Sequence, residues 1–268
     1  MSGRARGFVP PAIAVPALIG LALLVLPLVA LIARVQWDTL WQDVTAPAAL
    51  DALRLSLVTG VVATAVCLVL GVPLALLIAR SGPRWAGVLR AVVTVPLVLP
   101  PMVGGVALLF LLGRSGPVGR FLNETSGVTI PFTTTAVVIA QVFVALPFLV
   151  LTVEGSLRTV GVEYERAAAS LGAGRWRILL RVTLPLARPG LVAGTVLCFA
   201  RAIGEFGATA LFAGNAPGVT QTMPLAIYTA FNGSGVGQGT AVALSLLLLV
   251  TAITVLLFVR GWRPGAPR

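Results

Sequence analysis

Apolar residues gather in six long stretches, at about 12–33, 55–79, 91–112, 132–153, 191–213 and 240–259, with shorter polar segments between them. A helix rises about 1.5 Å per residue, so about 20 apolar residues cross a hydrocarbon core of about 30 Å. Every stretch meets that length and predicts a membrane-spanning helix. The first follows Arg4 and Arg6, as the core of a secretory signal would. It exceeds the roughly 7–15 residues of such a core, and so reads as a retained anchor. Pro96, Pro100, Pro101 and Pro147 fall inside the third and fourth stretches and predict kinks. Kinks are tolerated where neighbouring helices or water satisfy the freed backbone groups, which implies a packed bundle. The expected fold is an all-α integral membrane protein of six transmembrane helices. It forms one domain over residues 1–268, without an internal repeat.

Composition agrees. Of 268 residues, 58% are hydrophobic and only 10% charged, against about 25% charged in soluble domains. All 19 basic residues are arginine, and histidine is absent too. A P-loop and a Schiff-base enzyme each need lysine, and most general bases and metal centres need histidine. No catalytic residue, metal site or cofactor is therefore expected in this chain. Cys67 and Cys198 lie in apolar runs and read as small buried hydrophobes.

The arginines also orient the chain. With the N-terminus in the cytoplasm, Arg4, Arg6, Arg80, Arg84, Arg90, the six between Arg158 and Arg188, Arg260, Arg263 and Arg268 fall inside. Only Arg34, Arg54, Arg114 and Arg120 fall outside. This satisfies the positive-inside rule with both termini cytoplasmic. The net charge of +11 is thus a topology signal, with no single basic face for nucleic acid. Trp37 and Trp41 suit the outer interfacial belt.

The segment 154–190 is too long and too patterned for a simple turn. Residues 162–171 are rich in helix formers and stop at Gly172, which can adopt the left-handed conformation that ends helices. A second helix is predicted over 175–182, with Pro185 and Pro189 preventing its continuation. Ala167, Ala168 and Ala169 leave a low ridge rimmed by Glu163, Glu165 and Arg166, suited to close approach by another protein. The competing reading is an interfacial helix on anionic lipid, supported by Trp176 among arginines.

In the fifth stretch, Arg201 and Glu205 are spaced to share one helix face near mid-membrane. They either line or gate an anion path or form a structural salt bridge. Gly204 and Gly207 would admit a neighbouring helix. The uncharged loop beyond offers Asn215, Thr220 and Thr222 as neutral donors that could touch a passing oxyanion without trapping it. An ordinary turn-rich loop is the alternative.

Two motifs carry a family resemblance. The run Arg166-Ala167-Ala168, Gly172, Val182, Leu184, Pro185 resembles the coupling motif of ABC importer permeases. Arg166 replaces the usual glutamate and Val182 the usual isoleucine, leaving Glu165 next door as an acidic contact. The run from Phe199 to Thr209, with Phe-Ala-Gly-Asn at 212–215 and Pro224 to Tyr228, is similar to molybdate permeases of that superfamily. Sulfate permeases share the 200–207 part. The resemblance implies a type I importer permease fold in a bacterial inner membrane. Two copies of the chain, two ABC ATPase subunits holding ATP and Mg, and an extracytoplasmic molybdate-binding protein would complete the assembly within the lipid bilayer. It assigns coupling to Tyr164, Glu165, Arg166, Ala167, Ala168, Gly172, Leu184 and Pro185, while the pathway falls to Arg201, Gly204, Glu205, Asn215, Thr220 and Thr222. Tungstate and sulfate stay open beside molybdate. A self-contained channel or secondary carrier is disfavoured, because the spans offer Glu205 alone as a proton-relay carboxylate.

Overall fold

The computed structural model describes residues 11–233 and 238–261, and all regular structure among them is helical. Arg4, Arg6, Arg263 and Arg268, used above for orientation, lie outside the described residues. The chain opens with α1 (Ala14–Ala33), the short α2 (Trp37–Thr45) and the long α3 (Pro47–Arg80). Next come α4 (Pro83–Val98), α5 (Pro101–Leu112), α6 (Pro117–Ser126) and α7 (Thr134–Val160). A hairpin of α8 (Glu163–Ser170), α9 (Arg175–Ile178) and α10 (Leu184–Leu186) leads into α11 (Arg188–Ile203), α12 (Gly207–Phe212), α13 (Met223–Asn232) and α14 (Gln238–Gly261). Four helices, α1, α3, α7 and α14, are long and apolar enough to cross a membrane, and two bent pairs raise the number to six.

Local chemistry sets the boundaries. Proline opens α3, α4, α5 and α6, where its missing N–H would be unpaired anyway. Thr133 caps α7 by accepting from the Ala136 N–H at 3.2 Å. Leu99 and Pro100 sit at extended ψ values of 134° and 133°, as residues preceding proline prefer. The third stretch is consequently broken into two helices, and not merely kinked: α4 and α5 meet at 109°. Pro147, by contrast, stays inside an unbroken α7.

Three further expectations are corrected. The stretch 191–213 is two helices, since α11 stops at Ile203 and α12 starts at Gly207. The second hairpin helix does not end before Pro185. A π-helical turn over Leu179–Thr183 carries it on to Leu186, the wider turn accommodating a residue that cannot donate. The loop beyond α12 is not turn alone, because α13 folds within it and packs on α3 and α14.

The centre is α3, α7 and α11. Ala63, Cys67, Ile78, Leu149, Val153 and Cys198 are buried there together, and both cysteines are free thiols. Between helices in lipid there is little hydrophobic force, so close packing of small residues supplies the attraction. Gly71 lies under Leu149, and Gly190 under Ser156. α1 stands apart, with none of its side chains buried in the chain.

A second contact joins α5 to α12. A Cβ on Gly105 would lie 2.8 Å from the Ala208 carbonyl oxygen and 2.9 Å from its Cα, and backbone cannot step aside. Gly105→Ala should therefore destabilise the chain by about 1–3 kcal/mol, as overpacking does. Thermal unfolding in detergent checks this against Gly87→Ala, a site with nothing within 4 Å, where no loss is expected.

Candidate functional site

The hairpin at 161–187 is built from its ends. Gly161, at φ +73°, ends α7 and turns the chain into α8. Glu163 and Glu165 occupy the first turn of α8, where carboxylates favour the helix dipole. At the other end the Gly172 N–H donates to the Ala169 carbonyl at 3.0 Å and the Ala173 N–H to the Ala168 carbonyl at 3.1 Å. With Gly172 at φ +82°, these bonds make a Schellman motif. The tip is apolar and uncovered: Leu171 is 88% exposed, Trp176 76% and Tyr164 59%. Of the alanine ridge, Ala167 and Ala169 are exposed and Ala168 is half-buried.

One ion-pair group fastens this hairpin to the bundle, and a second joins α4 to α7 just before it. Glu165 accepts from the Arg80 guanidinium at the end of α3 and from the Thr183 hydroxyl at 2.8 Å. It is half-buried, and its carboxylate is engaged within the chain. Below it, the buried Glu154 of α7 accepts from Arg90 Nε of α4 at 3.2 Å and from Arg158 Nε at 2.7 Å. Arg80, Arg90, Glu154 and Thr183 were not singled out from sequence. Only the Glu154–Arg158 spacing of four residues carried a signal. Leu184 and Pro185 lie on α10 at the hairpin's return, half-buried and exposed respectively.

At the break after α11, Arg201 Nη2 meets Glu205 Oε2 at 2.6 Å, although no continuous helix connects them. The other carboxylate oxygen, Oε1, accepts from the Ala208 N–H at 2.7 Å in the first turn of α12. Glu205 is thus both counter-ion and cap, and its side chain is 1% exposed. The Arg201 side chain keeps 26% of its surface open. Gly207 does admit a neighbour, its Cβ position lying 3.0 Å from Pro101 Cβ. Gly204 admits none. It lines a cleft of about 430 Å³ with Phe206, Tyr228 and Phe231, where the Phe206 and Tyr228 ring centroids are 5.0 Å apart.

The three loop residues are brought close in sequence but not onto one open surface. Thr220 and Thr222 are fully buried, and Thr220 Oγ1 accepts from the Ala216 N–H at 2.9 Å. Asn215 is exposed and donates to Thr229 Oγ1 at 2.9 Å. In this arrangement Thr220 braces the turn. Sequence reasoning also missed Gln141, buried on α7 with both amide atoms unpartnered by protein, as are the buried Thr209 and Thr222 hydroxyls.

The model of the family described as binding-protein-dependent transport system inner membrane component matches residues 71–263. The chain is 50% identical over 249 residues to the molybdenum transport system permease protein ModB of Mycobacterium tuberculosis, covering 93% of each. It is 40% identical over 207 residues to ModB of Escherichia coli K12, covering 77% of this chain and 90% of that one. Among solved structures it resembles a bacterial alginate ABC transporter in complex with alginate pentasaccharide-bound periplasmic protein, with TM-score 0.69 at 18% identity and 95% of each chain covered. It also resembles the inward-facing MetNI methionine ABC transporter, with TM-score 0.59 at 20% identity, covering 78% of this chain and 94% of that one. The fold is that of ABC importer permeases.

Proposed function

The chain belongs to the family of inner membrane components of binding-protein-dependent transport systems, and on that premise we propose that it is the membrane permease of an ATP-driven molybdate importer. The observation that carries the ATP-driven part is the hairpin: a rigidly footed two-helix projection with an apolar, uncovered tip is what a separate ATPase needs to push on. The substrate follows from relatives named for molybdenum transport. Two copies form the path, two ATPase subunits hold ATP with Mg, and an extracytoplasmic binding protein delivers the anion. Both termini and the hairpin face the cytoplasm. The chain itself contributes no catalytic group.

Within the path, Arg201 is the arginine placed inside a span, and Glu205 neutralises it. A bare guanidinium at low dielectric would hold a divalent oxyanion too long, whereas conduction needs weak sites. The pair, with Gly204 at the break, thus gives a brief and partly screened contact.

Reconstitution tests the proposal. Proteoliposomes containing the permease, its ATPase and its binding protein should accumulate molybdate only with ATP. Arg201→Gln should lower uptake about tenfold, one charge-assisted contact being worth about 1.5–3 kcal/mol. Uptake that persists without the ATPase would overturn the importer reading and revive the secondary carrier.

A further inference from the structure

Charge on the hairpin is divided unequally between engaged and free groups. Of its two acidic residues, Glu165 is held by Arg80 and Thr183. Glu163 alone is exposed. Arg166 and Arg175 are exposed too, and neither meets a carboxylate among the described residues. Both line one open cleft of about 550 Å³ between α8, α9 and the end of α3, together with Arg80, Ala169 and Ile178. Trp176 and Leu171, among the most exposed apolar side chains of the chain, flank the same helices.

A cleft with three guanidiniums and one carboxylate already engaged by Arg80 is a receptor for negative charge. When a surface is covered by a partner, a charge left without an opposite loses hydration and gains nothing. Burial of the apolar tip therefore requires the partner to bring carboxylates. A protein fits this cleft better than a lipid leaflet does, because α7 runs seven residues, about 10 Å, past the end of its apolar stretch at residue 153 before the hairpin begins. The bulge of exposed Tyr164 and Leu171 also has the character of a protein-docking knob.

We infer that the ATPase subunit inserts acidic side chains into this cleft against Arg166 and Arg175. The polarity of docking at the first motif position is thereby reversed from that of a permease carrying glutamate there. The inference rests on the ATPase-docking reading above. It also accounts for the engagement of Glu165 by Arg80: an unpaired carboxylate in the cleft would repel the incoming acid.

The test uses the complete permease co-expressed with its ATPase and purified through the permease. Arg166→Glu combined with Arg175→Glu should reduce ATPase retention about tenfold or more, the range seen for charge pairs covered by an interface. Arg166→Lys with Arg175→Lys should retain most of it. Raising salt should weaken the wild-type complex, because ions screen the exposed guanidiniums of the free permease before the partner covers them. The thermal midpoint of the permease alone should not fall in either variant, since neither arginine makes an internal pair. Retention unchanged by charge reversal and by salt would overturn the inference while leaving ATPase docking intact. A wild-type permease that retains no ATPase would overturn both. Charge reversal that leaves ATPase retention unaltered but exposes the 161–187 hairpin to protease in nanodiscs containing phosphatidylglycerol, where the wild type is protected, would assign the cleft to the membrane, again overturning it.

Discussion

Glu205→Ala is expected to remove most of the permease from the membrane and to abolish transport by what remains. The carboxylate is 1% exposed and holds two elements at once, Arg201 at the end of α11 and the first turn of α12. Deleting one partner of a buried pair costs about 3–5 kcal/mol, because the other charge stays buried without an opposite. Losing a helix cap adds about 1 kcal/mol. Against a total stability of about 5–15 kcal/mol this is a large share. The amount of folded protein in detergent and its thermal midpoint measure the effect. Glu205→Gln should keep the Ala208 contact through its amide oxygen and lose less. Arg201→Ala in the Glu205→Ala background should restore part of the stability, since the orphan charge is gone. A Glu205→Ala protein with a wild-type midpoint would show that the pair does not brace the break.

Gly172→Val is expected to uncouple the permease from its ATPase while leaving the bundle folded. No atom outside the local chain lies within 4 Å of a Cβ built at Gly172, so crowding is not the problem. The backbone is. At φ +82° a β-branched residue is strained, costing about 1–3 kcal/mol. The cheapest relief is to abandon the Schellman turn and let α8 and α9 change their mutual angle. The Tyr164, Leu171 and Trp176 tip would then no longer form one surface. Asparagine tolerates the left-handed region, so Gly172→Asn should keep most coupling. ATPase co-purification and ATP hydrolysis stimulated by the loaded binding protein are the measurements. Normal values for Gly172→Val would remove the hairpin from the coupling route. This differs from the simplest expectation for a glycine facing a partner, where bulk alone would matter.

Much of the site was legible before the fold. Residues 163–170 are helical inside the predicted 162–171, and Gly172 has the left-handed conformation its position requires. Both follow from local chemistry, which short segments carry in themselves. Arg201 and Glu205 do meet, because four residues is a short reach even when the helix stops between them. The engagement of Glu165 was not legible. Its partners Arg80 and Thr183 lie 85 and 18 residues away, and nothing in the spacing says that α3 ends beside α8. The burial of Thr220 and Thr222 was equally invisible, since it depends on α13 folding back over α3.

By itself, the sequence determined that this chain is a helical membrane protein and that it carries a patterned hairpin whose first helix ends at Gly172. Those properties depend on hydrophobic length, residue type and short spacing, and each is a property of a segment alone. Only the tertiary structure decided which charges are engaged and which are free. It engaged Glu165 with Arg80, joined Glu154 to Arg90 and Arg158, left Arg166 and Arg175 open, and broke two of the expected spans at Pro100 and Gly204. The reason is that pairing energy depends on distance and burial together, and both are set by helices that meet far apart in the chain.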